Sequence, residues 1–324
     1  MKTNDLAPII LFVYNRPTHT EQTLMALMQN ELASDSILYI YSDGPKDQAT
    51  ENDIKKITDV RKVIRKKQWC KEVYIVESDR NKGLAKSIIE GVTEVIAKHD
   101  KVIVLEDDLL TSSYFLKYMN EALIYYENFM GVFSISANRP PLSKMQIPDD
   151  YDYDVFACLR SYSTGWATWE NRWKKIDWTL DYLDSFMNQP YQIQSFNRSG
   201  EDMTKLLLMQ RDGLIDSWSI RFSYTHFKEH AVAILPCTSY IDNIGFDGSG
   251  THTNAIEDTY HNDVTLTKRD IKFLDIIYED TRIINSFYSY YYPHKRPLWQ
   301  KIINRISRIM GGKNIFTIKK KVYA

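Results

Sequence analysis

Short apolar runs alternating with charged, helix-spaced stretches dominate the first 140 residues. The first run, Ile9 to Tyr14, predicts a strand, and a helix follows from about Thr18 to Gln29 with Pro17 at its start. Further strands are predicted at Ile37 to Tyr41, Val73 to Val76, Val102 to Leu105 and Val132 to Ser136. Between them lie predicted helices at roughly Glu51 to Lys67, Leu84 to Lys98 and Ser113 to Phe129. Strands this short and this apolar, separated by helices, imply right-handed crossovers and an α/β fold with a mostly parallel sheet.

In such a sheet, ligands bind beyond the carboxyl ends of the strands. Polar clusters follow the first four strands: Asn15-Arg16-Pro17, Ser42-Asp43-Gly44-Pro45, Ser78 to Gly83, and Glu106-Asp107-Asp108. The pattern therefore places all four on one edge. The last is the most informative, because a buried strand cannot hold three carboxylates and the acids must sit at its mouth. Concentrated carboxylates suit a hard divalent cation such as Mg²⁺ or Mn²⁺, which prefers oxygen ligands. A solvated acidic turn is the plainer alternative.

The second half is less regular. Pro140 and Pro141 open a loop to about Asp154, and a short strand, Val155 to Leu159, leads into Arg160-Ser161-Tyr162-Ser163-Thr164-Gly165-Trp166. The spacing of Trp166, Trp169 and Trp173 predicts a Trp-rich helix with one aromatic face. Helices are predicted at Asp202 to Arg211 and Ser217 to His230, before a turn-rich stretch from Asn243 to Thr253.

The first strand with Asn15-Arg16-Pro17, the Asp43 strand end, Asn81-x-Gly83 and Glu106-Asp107-Asp108 together resemble a GT-A glycosyltransferase. The acid triplet before an aromatic-rich helix, with Gly165-Trp166 and Ile215-Asp216-Ser217-Trp218, is similar to the N-acetylglucosaminyltransferase I group and its bacterial sugar-transferase relatives. The resemblance spans residues 8–253. It implies a Rossmann-like sheet and transfer of a sugar from a UDP-sugar, UDP-GlcNAc or UDP-GalNAc among them. The acceptor would be a glycan or a lipid-linked saccharide, as in polysaccharide biosynthesis.

The resemblance also implies roles. Asp108 would ligate Mn²⁺ or Mg²⁺, Asp107 would face the ribose or donor sugar, and Glu106 would hold the hydrogen-bond network around the donor. Asp43 would contact uracil or ribose, with Asn15, Arg16 and Arg80 at the nucleotide. Lys82 and Lys86 could meet phosphate, although a solvated helix face accounts for Lys86 as well. Gly83 suits a backbone turn before its helix. Inverting transfer needs a base for the acceptor hydroxyl, and Asp216 is the candidate, with Glu201 and Asp202 as alternatives. Asp216 could instead cap the helix that follows it. His252, in a Gly-rich stretch with Gly245, Gly248 and Gly250 that could act as a lid, is a second candidate for the metal or diphosphate. Gly165 and Trp166 would line the acceptor site, with burial in the core as the rival reading.

Composition narrows the alternatives. The chain has 324 residues, 44% hydrophobic and 13% aromatic, enough for a large core. A net charge of −1 argues against a general nucleic-acid binder. Three widely spaced cysteines, Cys70, Cys158 and Cys237, fit reduced thiols in a cytoplasmic protein. No signal peptide and no 18-residue apolar segment is evident. The loop after the first strand lacks the glycines expected of a nucleotidyltransferase, and retention of all three acids counts against a non-catalytic carbohydrate-binding protein. The organisation predicted is one catalytic domain over 1–292, with a nucleotide-binding half at 1–140 and an acceptor half at 141–260. A basic tail over 293–324 follows. No acid occurs after Asp280, and Leu298 to Met310 reads as a basic amphipathic helix, suited either to peripheral contact with an anionic membrane or to packing on the domain.

Overall fold

The structure is a computed structural model and describes residues 6–247, 261–291, 303–305, 307 and 308. An eight-stranded sheet has the order β3-β2-β1-β4-β8-β6-β9-β7. Its strands are β1 (Ile9–Val13), β2 (Ile37–Ser42), β3 (Glu72–Glu77), β4 (Lys101–Glu106), β6 (Val132–Ser136), β7 (Val155–Cys158), β8 (Trp166–Trp169) and β9 (Val232–Pro236). The ladders β3-β2, β2-β1, β1-β4 and β6-β9 are parallel; β8 and β7 run the other way. The predicted α/β class and mostly parallel sheet are what the chain adopts.

Both faces of the sheet are covered, which explains the unbroken apolar runs. On one face Ile9, Leu11, Val13, Ile103 and Leu105 pack under α1 (Pro17–Met28), α2 (Glu51–Ile64) and α4 (Phe115–Tyr125). On the other, Ile10, Phe12, Val102 and Val104 pack against α3 (Leu84–His99), α5 (Glu170–Trp173) and α9 (Trp218–Lys228). Local signals fix the helix starts. Pro17 opens α1, and Thr50 caps α2 reciprocally with Asp53. Gly83, at φ +78°, turns the chain into α3.

A smaller cluster joins α6 (Leu183–Met187), α7 (Pro190–Phe196) and α8 (Met203–Arg211) to one side of α9. Helix α10 (Thr281–Tyr291) lays Ile283 and Phe287 on β7 and β9. All three cysteines are free thiols, Cys70 and Cys158 buried and Cys237 half-buried. No helix among the described residues is long and apolar enough to cross a membrane.

The Trp-rich helix is a correction. Trp166 to Trp169 is strand β8, inserted antiparallel between β4 and β6, and only Glu170–Trp173 is helical. Two sheet neighbours outweigh an i, i+3 aromatic spacing over so short a run. A short strand, β5 (Leu109–Thr111), also follows the acids directly and pairs antiparallel with β10 (Ile241–Asn243). The predicted tail lies mostly outside the described residues, including Leu298, Ile302 and Ile306.

Candidate active site

The parallel register brings the strand ends level: Phe12 stands beside Tyr41 on one side and Glu106 on the other. A cavity of about 800 Å³ opens there. Asn15, Arg16, Asp43, Gly83, Glu106, Asp107 and Asp108 all reach it, so the edge predicted from the pattern is a real place. Residues 160–164, 214–220 and Tyr290 and Tyr291 also line it.

The three acids are held by different means. Asp107 accepts the Tyr14 backbone N–H at 3.3 Å, while its own carbonyl accepts the Thr23 hydroxyl at 2.9 Å. Asp108 takes Arg16 Nη1 on its Oδ2 at 2.8 Å. Burial pushes the Glu106 carboxyl up to about 8, reinforced by the charges of Asp108 and Asp107. Burial likewise raises Asp107 to about 7, with Asp108 adding to it. Asp108 is also raised by burial, with Arg16 opposing. One guanidinium faces three carboxylates; burial, and for Glu106 and Asp107 the neighbouring acid charges, favours their protonated forms.

Residues 244–247 lie against this cluster. Ile244 N–H donates to the Asp108 carbonyl at 3.0 Å. A Cβ on Gly245 would stand 2.1 Å from Asp108 Oδ2, so only glycine allows the approach. Asp247 meets Arg16 Nη2 at 3.3 Å and His19 Nε2 at 3.1 Å. His252, Gly248 and Gly250 lie outside the described residues.

Among the described residues, no three His, Cys, Asp or Glu side chains converge as a ready metal cage. The donor set nonetheless fits a hard cation that completes its shell with diphosphate and water oxygens. It offers oxygen only, and its uncompensated charge is what such an ion would neutralise.

Asp43 works through the backbone. Its carboxylate accepts the N–H groups of Gly44 and Lys82 at 2.9 Å each and of Gly83 at 3.1 Å, locking the β2 end to the α3 start. Arg80 and Lys86 are not brought to the cavity. Arg80 is exposed, and Lys86 lies on the solvent side of α3 with Glu90. Gly165 and Trp166 are not brought there either. Trp166 is 2% exposed and stacks on Trp218 and Trp173, and Gly165 is buried at φ +62° against Ile241.

Asp216 does line the cavity, and its side chain is 67% exposed, 3.4 Å from Arg221 Nη2. It is not a helix cap: Ser217 caps α9, accepting from Ile220 N–H. Of the alternatives, Glu201 is exposed and bonded to Tyr288, and Asp202 is buried against Arg160. His19, Lys46, Arg160, Asp247 and the hydroxyls of Ser161, Ser163 and Thr164 were not singled out as site residues. His19 carried a signal, one helical turn after Arg16, and the hydroxyl run before Trp166 carried another.

No family model matches the sequence, and no curated protein matches it. Among solved structures the chain is similar to S. aureus TarS 1-349, at 7% identity over 72% of this chain and 59% of that one, with a TM-score of 0.37. It is similar to a UDP-glucose pyrophosphorylase complexed with UDP-glucose, at 12% identity over 71% and 90%, TM-score 0.37. It is also similar to mouse xyloside xylosyltransferase 1, at 11% identity over 68% and 80%, TM-score 0.33. The chain spans 59% of TarS 1-349 and 36% of another TarS chain. Likeness at this level leaves the chemistry to be argued from the site itself.

Proposed function

We infer that this chain is a glycosyltransferase that moves a sugar from a UDP-sugar to a saccharide acceptor with inversion, aided by Mn²⁺ or Mg²⁺. The observation that carries this reading is the cluster of three carboxylates around one guanidinium at the strand ends, in a cavity also lined by Asp216 and a row of hydroxyls. A nucleoside diphosphate is the kind of ligand such a place suits, because it arrives with its cation.

When bound, the cation would neutralise charge developing on the departing diphosphate. Asp108 would hold it with Asp107 beside. Arg16, already between Asp108 and Asp247, would turn its second nitrogen to phosphate. Asp43 keeps the loop before α3 fixed, so Gly83 and Asn15 shape the nucleoside end. Asp216 takes the proton from the acceptor hydroxyl as general base. Residues 244–247 help exclude water from the acid cluster.

The test is direct. With Mn²⁺ present, UDP should raise the melting temperature, and one UDP-sugar of a panel should release UDP in the presence of mixed saccharide acceptors. If UDP binds no better than uridine with or without Mn²⁺, the diphosphate reading is wrong.

A further inference from the structure

Among the described residues, four arginines are sunk into the half of the molecule after β6, and they are used differently. Arg139 spends all three nitrogens, on the carbonyls of Pro140, Cys237 and Met145. Arg172 spends its three on Val132, Asn171 and Glu127, and Arg221 its three on Ser217, Trp178 and Asp216. Those three tie chain segments together. Arg160 does not follow them.

Arg160 is 9% exposed, yet only Nη1 is engaged, with both Asp202 oxygens at 2.9 and 3.0 Å. The Tyr291 ring covers the guanidinium face at 3.9 Å. Gly200 is required behind the pair, since a Cβ there would come within 2.5 Å of Asp202 Oδ1. Nε and Nη2 have no hydrogen-bond partner among the described residues and are not sealed off, and Arg160 lines the cavity. A guanidinium immobilised on one nitrogen and one face, with its Nε–Nη2 edge unspent, matches a two-oxygen anion. The hydroxyls of Ser161 and Ser223, 2.6 Å apart, line the same cavity, and a sugar ligand would need such groups.

We propose that Arg160 is an acceptor-side oxyanion receptor, so that the acceptor is a saccharide bearing a carboxylate or a phosphate. This rests on the transferase reading for the word acceptor; the anion site itself does not. The occupied Asp202 bond balances charge and holds the fork still. The open edge supplies recognition.

The test uses the full chain saturated with UDP and Mn²⁺, which fills the diphosphate end. Glucose, glucuronate and glucose 6-phosphate are titrated by ligand-observed NMR. One of the two anionic sugars should bind at least about tenfold more tightly than glucose, and which one identifies the anion. Arg160→Lys keeps a charge for Asp202 but lacks the fork, and should lose that preference while UDP affinity holds. Equal binding of all three sugars by the wild type, or no binding, overturns the proposal, as does an Arg160→Lys variant that keeps the preference. If the variant does not fold, the wild-type ratio decides alone. Failure of UDP to bind would sink the transferase reading, while the glucuronate-to-glucose ratio would still report on Arg160.

Discussion

The two ends of the cavity are unbalanced in opposite ways. At the strand ends, three carboxylates share one guanidinium, and protons are retained to compensate. Elsewhere in the lining, Arg160 has one carboxylate and an unspent donor edge. A buried group with every site spent looks different. His226, pushed down to about 4 by burial, is bonded on both ring nitrogens, to Ser134 and to Phe222. A closed group of this kind serves the fold, whereas an unspent charged group that also lines the cavity is available to a ligand.

The largest break in that contrast should come from Asp108→Asn. It removes the acid that Arg16 and the proposed cation share, and turnover should fall on the order of a thousandfold while the fold survives. Near-normal turnover would exclude Asp108 from the reaction. Trp166→Ala separates core from cavity. It opens a hole between Trp173 and Trp218 and should cost about 3 to 5 kcal/mol in urea melts. A small stability loss with a specific acceptor defect would return Trp166 to the acceptor site. Asp216→Asn should lower turnover about a hundredfold with donor affinity unchanged. Parallel loss of UDP binding would mean that its contact with Arg221 matters more than its basicity.

The smallest effect is on stability against pH. Glu106 and Asp107 are raised by burial and by neighbouring acids, so the folded state keeps protons that the unfolded chain has released. Stability from this cluster is therefore greatest in acid and falls as pH climbs from the ordinary carboxylate range toward about 8. Asp107→Asn should flatten the curve of melting temperature against pH. An unchanged slope would show that the charge strain lies elsewhere.

How much of this was legible in the sequence follows from burial. Strands β1 and β4 announced themselves because both faces are covered, leaving runs such as Ile9 to Val13 without a polar break. The acids after β4 were legible for the same reason, since three charges cannot continue such a strand. β8 was not, because its four residues carry a helical aromatic spacing and only its neighbours β4 and β6 make it a strand. Asp43 lines the cavity as expected of its strand end, but that its carboxylate is bonded to three backbone N–H groups is something no composition reveals. Arg160 sits openly in the sequence beside its hydroxyls. That one edge of its fork is unspent emerges only once Asp202, Tyr291 and Gly200 are folded around it.

The central claim is that the strand-end acids await a cation that arrives with a diphosphate. Calorimetric titration of Mn²⁺ and UDP near pH 6.5, repeated in two buffers of different ionisation enthalpy, tests it most directly. Binding should release protons from the acid cluster, UDP should bind far better with Mn²⁺ than without, and Asp108→Asn should lose both effects. UDP binding that ignores Mn²⁺, releases no proton and survives Asp108→Asn would contradict the account.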